Sequence, residues 1–230
     1  MRPLVALLLV VPSLSFAAGQ FVRPTAKDHE HEPGLYTEDP FITEYRHRFF
    51  AVFNGDVKTF RKAYGEIANM VVEKPNDARA RVWLGNGQTV EAAIELLHGQ
   101  KVQSLELLKV SRRNLDQAVS TKPKDPNIYM MRAATLYIQG QYWPAKDVAP
   151  VVWETLKADC ERFVAFLGPD RIGRVSVHVR GETYGELGIA CKNLGDKQGA
   201  RIAFTKVVSL CPGTEYAVRA TKELNELPKM

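Results

Sequence analysis

The stretch YGELGIACKNLGDKQGARIAFTKVVSLCP, residues 184–212, holds two apolar patterns of helical spacing on either side of Asn193-Leu194-Gly195-Asp196. Those four residues read as a turn, so the stretch predicts a helix to about Lys192, a tight turn and a second helix to about Leu210. Pro212 stops the second helix, because proline lacks the backbone donor and clashes with the preceding turn. A last helix follows from Thr214 to Leu227. Its Ala217, Ala220, Leu224 and Leu227 share one face, and Arg219, Lys222, Glu223 and Glu226 lie elsewhere.

The same alternation of periodic stretches and breaks runs back toward the N-terminus. Phe49, Val52 and Phe53, then Val57, Phe60, Tyr64, Ile67 and Val71, give two helices around Asn54-Gly55-Asp56. Pro75-Asn76-Asp77 ends the second, and Asp77 can cap a helix carrying Ala80, Leu84, Val90, Ile94 and Leu97. Gly85 and Gly87 weaken that helix, at ~1 kcal/mol each relative to Ala. His98-Gly99-Gln100 predicts a turn, and Val102, Leu105, Leu108, Leu115 and Ala118 a helix that ends at Pro123-Lys124-Asp125-Pro126-Asn127. Residues 128–138 form another, with a turn at Gly140-Gln141 and Pro144 in the first turn of its successor. Pro150 either kinks that successor or marks its true start, and Gly168-Pro169-Asp170 gives the next break. No stretch reads as a strand, since Val175 to Val179 belongs to a longer helical pattern. The expected class is all-α.

Tyr184-x2-Leu187-Gly188-x2-Cys191, Ala200-x3-Phe204 and Pro212 stand at the spacings of a known helix-pair repeat, W-x2-L-G-x2-Y, A-x3-F, P. The unit resembles the tetratricopeptide repeat, with Tyr in place of Trp and Cys in place of the motif's Tyr. The pattern has a packing logic. Gly188 and Ala200 let two antiparallel helices approach closely while Tyr184, Leu187 and Phe204 fill the space around them. Earlier units are weaker relatives. Tyr129, Ala133, Leu136, Gly140 and Ala145 keep the spacing, with Arg132 in the usual leucine slot; Leu84-Gly85 follows Pro75-Asn76 at the expected distance; and Gly55-Asp56, Phe60, Tyr64 and Ile67 form the most N-terminal pair. The resemblance covers about residues 41–227 and implies antiparallel helix-turn-helix repeats stacked as an α-solenoid over 41–230, with the last helix as a solvating cap.

Ahead of that domain, Met1-Arg2-Pro3 precedes an unbroken apolar run from Leu4 to Val11 and then Pro12 to Ala18, the form of a secretory signal peptide over residues 1–19. Ser15-Phe16-Ala17 fits cleavage before Ala18, and Ala17-Ala18-Gly19 fits cleavage before Gln20. Residues 20–40, with Pro24, Pro33, Gly34 and Pro40 among polar side chains, read as a flexible leader. No cysteine follows the apolar run to carry a lipid, and no later stretch approaches the ~20 apolar residues of a membrane span. The expected location is outside the cytoplasm, periplasmic or extracellular. Formal charge is +5, and Lys and Arg are dispersed among Asp and Glu without a basic block, which argues against a nucleic-acid arm.

Recognisable chemistry is sparse. No G-x-S-x-G, H-E-x-x-H, phosphate loop or dinucleotide fingerprint occurs, and no cofactor is expected. Asp28-His29-Glu30-His31-Glu32 could hold a divalent metal, which makes an exported metal- or small-ligand-binding protein the alternative reading, but it reads equally as a solvated polar run. His47, His98 and His178 are isolated. Trp83, Trp143 and Trp153 sit at helical spacing, where core packing competes with ligand stacking. Cys160, Cys191 and Cys211 are an odd number. In a tetratricopeptide hairpin Cys191 and Cys211 fall at opposite ends, beyond the ~4.4–6.8 Å that a disulfide spans, and Cys191 becomes a small buried residue.

What the resemblance implies is protein binding without catalysis, through a groove lined by the first helix of each pair. In that register Arg79, Val82 and Asn86, then Met130, Tyr137 and Ile138, then Gly185, Ile189 and Lys192 face the groove, a mixture suited to an extended peptide or partner helix. The competing reading is that several of these residues pack against neighbouring helices.

Overall fold

Among the described residues, six helices start on a side chain that caps them. Asp56 accepts from the Thr59 amide, Asp77 from Arg79 and Ala80, Asp125 from Asn127, Ser176 from Val179, Asp196 from Gly199 and Thr214 from Ala217. Each cap satisfies donors that a helix N-terminus otherwise leaves bare, which is why these short polar residues mark the boundaries. A computed structural model of the chain describes residues 40–143, 148 and 150–228. The expected signal peptide, the leader up to residue 39, and Pro144 and Ala145 lie outside the described residues.

The described chain is all-helical, without a strand. It runs through α1 (Pro40–Phe50), a 3-10 turn (Ala51–Asn54), α2 (Val57–Glu73), α3 (Ala78–Leu97), α4 (Lys101–Thr121), α5 (Pro126–Tyr142), α6 (Val151–Leu167), the short α7 (Pro169–Ile172), α8 (Val177–Asn193), α9 (Lys197–Leu210) and α10 (Glu215–Glu226). Pro150 is the residue on which α6 begins, so of its two expected roles it takes the start.

Two kinds of connection recur. Gly55, Gly99 and Gly195 carry φ of 86°, 79° and 77°. Around each, the next residue's amide reaches back five positions, Asp56 to Ala51 (3.1 Å), Gln100 to Glu95 (2.8 Å) and Asp196 to Cys191 (2.9 Å). This is the Schellman closure, and it folds α1–α2, α3–α4 and α8–α9 back on themselves. The other connection is built on proline. Lys74-Pro75-Asn76-Asp77, Lys122-Pro123-Lys124-Asp125 and Cys211-Pro212-Gly213-Thr214 each bond the amide of the capping residue to the carbonyl three positions earlier. These pass the chain from α2 to α3, α4 to α5 and α9 to α10.

Packing follows the connections. α3 lies on α4, α5 on α6 and α8 on α9; α2 and α5 also pack on α3, α6 and α5 on α8, and α9 and α8 on α10. α3 is buried on every face from Ala80 to Val90. Its two glycines are crossing points for its neighbours. A Cβ at Gly85 would stand 2.8 Å from the Leu115 side chain, and one at Gly87 would enter the Tyr64 ring. Gly140 differs from its expected turn. α5 runs on to Tyr142, and Gly140 makes room for the indole of Trp153 on α6.

Buried apolar residues form two clusters. The first runs from Tyr45 to Cys160 and takes in Ala190; the second runs from Phe163 to Leu227. α6 and α8 contribute to both, so they form the joint. Trp83, Trp143 and Trp153 are all core residues of the first cluster. Cys160, Cys191 and Cys211 are all buried, in keeping with the small apolar role expected of Cys191.

Candidate protein-binding face

At the α8–α9 hairpin the repeat-pattern residues come together. Tyr184, Ala200 and Phe204 are buried, and Leu187 is half-buried against both core clusters. A Cβ on Gly188 would stand 2.5 Å from the Phe204 ring, so the absence of a side chain there is what lets α9 approach. Pro212 lies exposed just past the end of α9.

The nine expected groove residues divide. Val82, Asn86, Tyr137 and Ile138 are enclosed within the fold, at 2%, 3%, 7% and 7% exposure, and cannot line an open face. The cause is the close approach of α3 and α5. The Asn86 amide donates to the Thr135 hydroxyl at 3.1 Å, and Ile138 belongs to the first core cluster. Tyr137 is roofed from the other side, where its hydroxyl accepts from Arg219 of α10 at 3.0 Å. The remaining five reach the surface. Arg79 is exposed, its guanidinium 5.5 Å from the Phe41 ring centroid. Lys192 is exposed and pairs with Glu223 at 2.7 Å and Glu226 at 3.4 Å. Met130 and Ile189 are half-buried and both pack on the second cluster, and a Cβ on half-buried Gly185 would meet nothing within 4 Å. These five, one on α3, one on α5 and three on α8, are fewer than the full row of first-helix residues expected to face a groove.

Several polar arrangements were not foreseen. Between α3, α4 and α5, the Ser111 hydroxyl donates to the Gly85 carbonyl at 2.7 Å and stands 2.9 Å from the Thr89 hydroxyl, and the Gln139 amide donates to both hydroxyls. Arg132 reaches Asp159 through two nitrogens, at 2.6 and 2.8 Å, and Asp116 at 2.8 Å. Burial pushes the Asp159 carboxyl up, against the pull of Arg132. A signal for this pair was present, since Arg132 occupies a slot where the repeat pattern carries leucine, and a buried guanidinium requires a carboxylate. No such departure marks Ser111 or Gln139.

A cleft of about 230 Å³ between α6, α8 and α9 contains Lys157, Cys191 and Asp196. Burial pushes the Cys191 thiol up to about 11, the reverse of what a nucleophile needs, and Lys157 donates to Asp196 at 2.8 Å. His178 is buried with its Nδ1 2.8 Å from the Tyr216 hydroxyl, whereas His47 and His98 are exposed on different elements. Among the described residues no group of three or more His, Cys, Asp or Glu is placed to hold a metal; Asp28 to Glu32 lie outside them. No described helix is long and apolar enough to cross a membrane.

No family model matches the chain, and no curated protein matches it.

Proposed function

We propose that this protein is an exported, non-catalytic interaction protein of the tetratricopeptide kind, whose hairpins stack as an α-solenoid and offer the α5–α8 edge to another protein. The observation that carries the reading is the α8–α9 contact, where the side chain missing at Gly188 receives the Phe204 ring with Ala200 and Tyr184 buried beside it. The alternation of glycine and proline connections supports repetition beyond that one pair. Met130, Gly185 and Ile189 supply a small apolar face with room above Gly185, flanked on α8 by the charge of Lys192. An extended peptide or one side of a helix suits such a face.

The test is comparative. Mature chain and a Gly185→Arg variant, matched in helical content by circular dichroism, are used to capture partners from an envelope extract. A protein held by the wild type and lost from the variant is the expected result. No reproducible partner, or equal retention by both, counts against the proposal. Export is checked by N-terminal sequencing of the protein from its own cells, with a start at Ala18 or Gln20 expected and an intact Met1 contradicting it.

A further inference from the structure

Three cations and no carboxylate lie along α9, at Lys197, Arg201 and Lys206. On the helices beside it charges are paired, as Lys157 is with Asp196 and Lys192 with Glu223. Among the described residues, none of the three α9 cations forms an ion pair. Arg201 donates to the Pro228 carbonyl at 3.0 Å, which fixes its guanidinium beside α9 without cancelling the charge. Lys197 and Lys206 are exposed.

These charges border an ordered face. Ala200, Ala203, Phe204 and Val207 are the buried residues of α9, on the side where Phe204 meets α8. At 3.6 residues per turn, the opposite side carries Gln198, Ile202, Thr205 and Ser209 in one line, spaced four, three and four residues apart. All four are exposed, Ile202 to 57%. The same geometry puts Arg201 on one flank of the line and Lys206 on the other. A depression of about 280 Å³ lies along it, lined by Arg201, Ile202, Thr205, Lys206 and Ser209. Alternating spacings of three and four, with a charge on each flank, are how one helix receives another: the line forms the seam and the flanking charges select the partner.

We propose that the outer face of α9 is a docking site for a helix of a partner protein, one with apolar side chains along its seam and glutamate or aspartate on the flanks. The uncompensated charge of the face calls for carboxylates, and Ile202 between the two cations calls for an apolar side chain between those carboxylates. A nucleic acid meets only the first requirement, and the one aromatic ring of α9, Phe204, is buried where no base can stack on it. A bilayer surface favours tryptophan, phenylalanine or leucine to insert, and this face offers a single isoleucine. The face shares no residue with the α5–α8 edge, so the inference does not depend on that reading.

The test uses the full mature chain and two synthetic peptides of three heptads, alike in leucine along the seam and different in carrying glutamate or lysine on the flanks. Fluorescence anisotropy of the labelled peptides at low ionic strength should show the glutamate peptide binding at least ~10-fold more tightly than the lysine peptide. Lys206→Glu should weaken the glutamate peptide ~3-fold or more and flatten the salt dependence of its binding. Ile202→Ser should weaken it too, with the salt dependence unchanged, because the seam is altered and the flanks are not. Both positions are exposed, so helical content read by circular dichroism should match the wild type. No binding of either peptide, equal binding of the two, or glutamate-peptide binding that neither substitution changes overturns the proposal. Heparin or phosphatidylglycerol vesicles bound more tightly than the glutamate peptide, and equally well by Ile202→Ser, would mean that charge alone is read, and overturn it as well. A dimer of the chain that Ile202→Ser converts to monomer assigns the face to a second copy and has the same effect.

Discussion

The α3–α4 and α8–α9 hairpins close on the same turn and are held by different means. Gln100 to Glu95 and Asp196 to Cys191 are the same backbone hydrogen bond, beside Gly99 and Gly195 of matching φ. Across α3–α4, however, the contact is polar as well as apolar. Ser104 donates to the Ala92 carbonyl at 2.7 Å, Ser111 to that of Gly85, and Asn114 to the Gln88 side chain at 2.9 Å. Across α8–α9 it is shape, a ring seated where a side chain is absent. A shared turn therefore does not dictate a shared interior. The polar hairpin binds to a fixed register because its donors have specific acceptors, whereas the apolar one depends on volume.

Substitutions can break that contrast. Phe204→Ala empties the centre of the second hairpin and should cost ~3–5 kcal/mol in urea unfolding. Ser111→Ala leaves the Gly85 carbonyl, the Thr89 hydroxyl and the Gln139 amide short of a partner and should cost ~1–3 kcal/mol. If polarity matters there, adding Thr89→Val should cost less than the two single changes summed. Gly188→Ala drives a methyl toward the Phe204 ring and should also cost ~1–3 kcal/mol, with part of the loss recovered when Phe204 is shortened to Leu. Gly185→Ala, three residues away on the same helix, meets open space and should stabilise by up to ~1 kcal/mol. Equal effects at Gly185 and Gly188 would show that helix propensity, and not the ring, sets the cost at Gly188.

Element boundaries were the most legible part of the fold because they rest on local chemistry. Asp77 caps in the structure where its position after a break suggested, Asp56 and Asp196 cap at breaks read only as turns, and Pro150 resolved into a helix start. Gly140 misled because its role is tertiary. A glycine beside a glutamine reads as a turn until the indole of Trp153, thirteen positions on, occupies the space. The same limit applied to the groove. Position in the repeat placed Val82, Asn86, Tyr137 and Ile138 on the first-helix row, but spacing carries no information on how tightly α3 crosses α5, and Asn86 spends its amide on Thr135, 49 residues away. The alternation of Gly55, Gly99 and Gly195 with Pro75, Pro123 and Pro212 was readable in the sequence as breaks between helices.

The hydrogen bond from Arg219 to Tyr137 joins residues 82 apart, in a chain whose other helix contacts lie mostly between elements close in sequence. In kinetic terms, neighbour-to-neighbour contacts can form early and from any starting point, with little chain to be brought together. This link cannot, because it requires α5, α8 and α10 to be in place already. It should therefore be among the last contacts made on refolding and among the first lost when the chain is pulled from its C-terminus.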